Sequence, residues 1–70
     1  MVRFGERLAT LREQKRLSQR ELEKEADVTH GIVARLERDH STYPSIPVAM
    51  QLAKTLGVTL DYLVGMYESA

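Results

Sequence analysis

Apolar residues recur along this chain at spacings of three and four, and the recurrence stops and restarts several times. Phe4, Leu8 and Leu11 stand at i, i+4 and i+7, which predicts a first helix from about Val2 to Lys15. Leu17 and Ser18 break it. Ser18 is followed three residues later by Glu21, a capping box in which each side chain satisfies an orphan amide of a first helical turn. A second helix therefore starts here, with Leu22 and Ala26 inward. Thr29 opens a third run, to about Arg38, in which Val33 and Leu36 share one face. Asp39-His40-Ser41-Thr42-Tyr43-Pro44-Ser45 is a loop by composition. Ser45 as N-cap, with Pro47 tolerated in the first turn, starts a fourth helix with the stripe Ala49, Leu52, Ala53 and Leu56, and Gly57 stands where a left-handed C-cap belongs. Thr59 caps a last short helix, Leu60 to Val64, with Asp61 favourably placed in its first turn and Gly65 ending it. With no strand pattern, internal repeat or low-complexity segment, the expectation is an all-α, compact five-helix domain over residues 1–65 and a short loose tail over 66–70.

Composition narrows the class. Seventy residues make one small domain, near the lower limit for a self-sufficient core. An apolar content of 43% with a single Phe and no Trp suggests a core of Leu, Val and Ala. Without cysteine there is neither disulfide nor thiolate metal site. No apolar run approaches the roughly 18 residues of a membrane span, and MVRFGERL lacks the apolar core of a signal peptide. A soluble, cytoplasmic chain without membrane association is expected. Net charge is zero, which as an average argues mildly against a nucleic-acid partner. Nine of the ten Lys/Arg lie in the first 38 residues, but eight of the ten acids precede residue 40, so a positive face must come from how the helices sort their charges.

The second and third helix starts, Ser18 and Thr29, are only eleven residues apart. Neither helix stands alone in water at that length, and the joint at Ala26-Asp27-Val28 requires Asp27 to hold a left-handed backbone. Helix, tight turn, helix is the arrangement that lays its second helix in the major groove of DNA. Here the chain resembles the Cro/phage-repressor type of helix-turn-helix regulator, the XRE family. The resemblance covers about residues 4 to 65 and rests on Leu8, Leu11-Arg12, Leu17-Ser18-Gln19, Leu22, Val28-Thr29, Val33, Leu36-Glu37, Leu52-Ala53, Leu56-Gly57-Val58, Asp61 and Leu63. Each match is weak alone; together, in order and at family spacing, they are specific. The chain departs from the family at Glu23, where a small residue is usual, at Asp27, where the turn glycine stands, and at Asp39, also usually glycine, followed by a loop about two residues longer. The Glu23 carboxylate is expected to reach solvent or find a cation.

The resemblance implies that Thr29, His30, Gly31, Ala34 and Arg35 face DNA bases. Periodicity agrees, because inward Val33 and Leu36 turn 30, 31, 34 and 35 outward. Arg35 suits a bidentate bond to guanine O6 and N7, or a phosphate. Gly31 and Ala34 leave room for a thymine methyl. By the same resemblance Ser18 and Gln19 meet a phosphate at the start of the second helix, where amides also point outward, and Gln19 braces the recognition helix. Arg38, His40, Ser41, Thr42 and Tyr43 are phosphate donors or an ordinary solvated loop. Arg12 and Glu37 form a structural pair joining the first and third helices. Leu60, Tyr62 and Val64 occupy the family's dimer surface; Tyr62 equally fits a core position with its hydroxyl outward.

The function this implies is sequence-specific binding of a double-stranded DNA operator as a homodimer, most often as a repressor. The competing class is a protein-interaction module, antitoxin-like, kept open by zero net charge and the acidic run Glu21, Glu23, Glu25, Asp27. An enzyme is disfavoured: no Cys, no Ser/His/Asp arrangement and no phosphate loop appear. His30 and His40 have no acidic cluster at ligand spacing, so no metal, cofactor or small-molecule ligand is expected.

Overall fold

Every ordered element of the computed structural model, which describes residues 3–39 and 41–64, is a helix. The order is α1 (Phe4–Gln14), α2 (Gln19–Ala26), α3 (Ile32–Arg38), α4 (Ile46–Leu56) and α5 (Leu60–Val64). The expected tail, residues 66–70, the Gly65 stop and His40 lie outside the described residues, as does Val2, the expected start of α1. Among the described residues no helix is long and apolar enough to cross a membrane.

The helices close on one core. Leu8, Leu22, Val33, Leu36, Leu52 and Leu63 are fully buried, with Phe4, Leu11, Ala26, Ala53 and Leu56 around them. Burying each large aliphatic side chain contributes about 1.5–3 kcal/mol. α1 packs on α3 and α5, α2 on α3 and α4, and α4 on α5. α1 comes closest to α3 at Gly5, where an added Cβ would collide with the Leu36 carbonyl oxygen and lie 3.1 Å from Glu37 Cα. The periodicity of α1 does not announce this requirement.

One joint recurs three times. At the ends of α1, α2 and α4, Arg16 (φ 57°), Asp27 (φ 58°) and Gly57 (φ 74°) take the left-handed conformation. The following amides, of Leu17, Val28 and Val58, donate back to the carbonyls of Arg12, Glu23 and Ala53 at 3.2, 3.1 and 3.0 Å. Each is a Schellman stop, and each trailing aliphatic packs against the core. A Ser or Thr comes next. Ser18 forms the capping box with Glu21, its Oγ accepting from the Glu21 amide at 3.0 Å while Glu21 Oε1 accepts from the Ser18 amide at 2.8 Å. Thr59 Oγ1 accepts from the Tyr62 amide at 3.1 Å. Ser45 Oγ accepts from Val48 at 3.4 Å, with Pro47 in the first turn of α4.

Thr29 departs from this scheme. The expected start of the third helix at Thr29 is corrected to Ile32, with Gly31 as N-cap at φ 89°. Thr29 contributes its carbonyl to the Ile32 amide at 3.2 Å instead of capping with its hydroxyl. For Glu23 the solvent alternative is corrected. Its side chain is buried, Oε2 accepts from the Val33 amide at 3.0 Å, and Oε1 lies 3.5 Å from His30 Nδ1.

Candidate nucleic-acid interface

α3 is tied to α1 and α2 by a network of three side chains and one backbone carbonyl. Arg12 of α1 grips Glu37 of α3 bidentately, Nε to Oε2 at 2.7 Å and Nη2 to Oε1 at 3.1 Å. Arg12 Nη1 donates to the Leu17 carbonyl at 2.7 Å, tying the α1–α2 joint into the same knot. Gln19 Nε2, at the start of α2, donates to Glu37 Oε1 at 2.8 Å. The pair is largely withdrawn from water, at 13% and 10% exposure, and the Glu37 hydrogen bond holds the Arg12 guanidinium above its ordinary pKa. Arg12, Glu37 and Gln19 thus join α1, α2 and α3 in one hydrogen-bonded network. One amide hydrogen of Gln19 remains for an outside acceptor, as does the Ser18 hydroxyl hydrogen, since Ser18 Oγ acts as acceptor in its capping box.

Above this knot, Thr29, His30, Gly31, Ile32, Arg35 and Arg38 line one shallow depression. Five of them are exposed, Ile32 is half-buried, and Ala34 is half-buried as well. Four of the five residues expected to face DNA bases, Thr29, His30, Gly31 and Arg35, line this depression with Arg38 beside them, and Ala34 does not. Ile32 and Arg20 are additions. The Arg20 guanidinium of α2 lies against the His30 ring, a long-range pairing across a turn for which no local spacing offers a signal.

Two members of the acidic run are committed to backbone amides, Glu21 to its own helix start and Glu23 to α3, which weakens the case for an acidic outer face. Glu21 sits in the capping box, where the Ser18 amide holds its carboxyl below the usual range. Glu23 is surrounded by donors: burial alone would raise its pKa, but the Gly31 and Val33 amides and His30 outweigh this and hold it low.

The loop after α3 is organised by Asp39. Its carboxylate accepts from the Ser41 hydroxyl at 2.7 Å, the Ser41 amide at 3.0 Å and the Thr42 hydroxyl at 2.9 Å. These bonds, the Ser41 hydroxyl first, lower the Asp39 pKa to about 2. The hydroxyls expected as phosphate donors are therefore donating to Asp39. Tyr43 is 73% exposed and lines a different feature, an apolar groove shared with Phe4, Pro44, Ile46, Ala49, Leu60 and Val64. Two of the three expected dimer residues thus meet Tyr43 there. The third, Tyr62, is 43% exposed with the buried Arg7 guanidinium 5.1 Å from its ring centroid, a cation–π contact that gives the ring a partner within the chain. Among the described residues no group of three or more His, Asp or Glu is placed to hold a metal ion.

Comparison with curated proteins gives no match. A family model described as Helix-turn-helix matches residues 8–63, which spans α2, the left-handed turn at Asp27, α3 and the helices that support them. Fold, brace and match agree, and the chain belongs to the Cro/C1-type helix-turn-helix (XRE) family of DNA-binding transcriptional regulators.

Proposed function

We propose that the chain is a sequence-specific repressor that binds a two-fold duplex DNA operator as a homodimer in the cytoplasm, through a DNA-binding domain over residues 1–65 with 66–70 as a short tail. The observation that carries this is the exposed depression formed by Thr29, His30 and Gly31 at the entry to α3 and Arg35 and Arg38 on it, the helix being braced by Arg12, Glu37 and Gln19. In this reading α3 enters the major groove. Arg35 donates two hydrogen bonds to a guanine edge, His30 meets a neighbouring edge, and Gly31 and Ala34 admit a thymine methyl. Ser18, Gln19 and Arg38 hold phosphates, which fix the register without carrying sequence information. Tyr43 adds a backbone contact or joins the apolar groove. Ser41 and Thr42 reach a phosphate only by giving up Asp39. Leu60, Tyr62 and Val64 form the dimer contact.

Selection of bound sites from a random duplex pool tests the proposal. The expected result is a two-fold consensus whose half-sites are centred roughly 10 base pairs apart, or a multiple of that. Binding should weaken steeply with salt as phosphate contacts release counterions. Tyr62→Asp should abolish cooperative filling of the two half-sites while single half-site binding survives. A pool that yields no consensus, with affinity insensitive to salt, would favour a protein partner instead.

A further inference from the structure

α3 is the helix with the greatest functional demand on its orientation, yet its N-cap residue is Gly31, which has no side chain to satisfy the first-turn amides. α2, α4 and α5 each have a Ser or Thr hydroxyl for that purpose. At α3 the acceptor comes from another helix. Glu23, one turn before the end of α2 and 4% exposed, places Oε2 3.0 Å from the Val33 amide, and the nearby Gly31 amide helps to hold its carboxyl below the ordinary range. Oε1 lies 3.5 Å from His30 Nδ1. Arg20, three residues earlier on α2, lies against the same imidazole. Glu23 and Arg20 of α2 thus both approach the His30 ring, and the Glu23 carboxylate satisfies a first-turn amide of α3.

From this geometry we infer that Glu23 is a positioning residue for DNA recognition: its carboxylate, acting across the turn as the cap of α3, fixes the α2–α3 angle and the direction of His30, and so sets base choice under the N-terminal end of α3. The inference rests on the proposed DNA-reading role of α3. A carboxylate in this near-core position is costly to desolvate unless it is hydrogen-bonded. Here its partners are backbone amides, whose positions are those of α3 itself, so any loss of the carboxylate is transmitted directly to where His30 and Gly31 stand. Arg35 lies one turn further on and is anchored from below by the Arg12–Glu37 knot, so base choice at its position should be insulated from Glu23.

Glu23→Ala and Glu23→Gln separate this from a purely structural role. In the free protein, amide hydrogen exchange at Val33 should quicken by at least about tenfold in Glu23→Ala, the loss of a hydrogen bond to a charged acceptor, and by less in Glu23→Gln, which keeps a neutral acceptor. On DNA, a profile over every single-base variant of the selected site should show discrimination lost by about tenfold at the base pairs under His30 and Gly31, with the Arg35 pair and the salt slope unchanged. Glu23→Gln should restore part of that discrimination. Uniform weakening at every base pair, or Val33 exchange that keeps pace with the global unfolding rate in both variants, would overturn the assignment. If Glu23→Ala does not fold, the same two readouts on Glu23→Gln decide it. A parent protein that selects no sequence would instead refute the DNA-reading role, and the exchange data would still judge Glu23 as the cap.

Discussion

Removing either member of the Arg12–Glu37 pair should expose how strongly α3 depends on the helix beneath it. Glu37→Ala leaves the Arg12 guanidinium, 13% exposed, with the Leu17 carbonyl at 2.7 Å and the exposed Glu13 carboxylate at 3.7 Å. A surface contact of that second kind contributes little. The stranded charge therefore dominates, and breaking a buried pair from one side costs on the order of 3 kcal/mol. A 70-residue domain is expected to have a total stability of roughly 4–10 kcal/mol. One substitution would then remove about a third or more of it. With a urea slope of about 1 kcal/mol per molar, the unfolding midpoint should fall by about 3 M. Arg12→Met should do comparable damage from the other side, because Glu37 keeps Gln19 as its partner at 2.8 Å but loses its counter-charge. The double variant Arg12→Met/Glu37→Leu strands neither charge and should recover much of the loss. Urea unfolding followed by circular dichroism measures all three. Single variants within about 0.5 kcal/mol of the parent, the range of ordinary surface changes, would refute the reasoning, as would a double variant as weak as the two single losses added together.

Arg16→Gly and Asp27→Gly should each raise the urea midpoint, by up to about 1 kcal/mol of stability, because glycine carries no Cβ penalty in the left-handed conformation both residues hold; a lower midpoint for either would count against this. Gly5→Ala should destabilise by about 1–3 kcal/mol, the range for overpacking, because its Cβ would press on the Leu36 carbonyl; an unchanged melting curve would mean α1 and α3 separate freely. Acid should weaken the fold. Glu23 and Asp39 are held below their ordinary values of 4.5 and 3.8, Asp39 at about 2, so each contributes stability above its ordinary value that is lost as pH falls through its folded-state value. The urea midpoint should be insensitive to these two groups between pH 7 and 5 and fall between about 4.5 and 2. Asp39→Asn should remove the lower part of that fall, and a midpoint that rises on acidification would contradict the assignment.

The legible parts of this fold are those where a local rule and the tertiary structure agree. The stripe Ala49, Leu52, Ala53, Leu56 is buried as its spacing predicts, and Ser18, Ser45 and Thr59 cap the helices they precede. Asp27 is left-handed because a two-helix joint demands it there. Arg16 was hidden by its residue type, since arginine has no preference for that conformation. The sequence order at the three joints, Arg16-Leu17-Ser18, Asp27-Val28-Thr29 and Gly57-Val58-Thr59, is nevertheless the same, and that repetition was a usable signal. It misleads only at Thr29, where two further residues precede α3 and the cap arrives from Glu23, ten residues before Val33. No pattern within one helix reports an acceptor supplied by another. The site divides the same way. The outward positions of α3 follow from inward Val33 and Leu36, whereas the commitment of Ser41 and Thr42 to Asp39 is a property of the folded loop.

The central claim is that α3 reads base edges while the start of α2 holds phosphate, and one experiment separates those roles. Affinity is measured for every single-base variant of the selected site with the parent, Arg35→Ala and Gln19→Ala. Arg35→Ala should lose about 1–3 kcal/mol on the preferred site and its preference at one base pair per half-site. Gln19→Ala should weaken all sequences alike and preserve every preference. If Arg35→Ala lowers all sequences uniformly and every preference survives, Arg35 is a phosphate clamp and the base-reading role assigned to this face of α3 is contradicted.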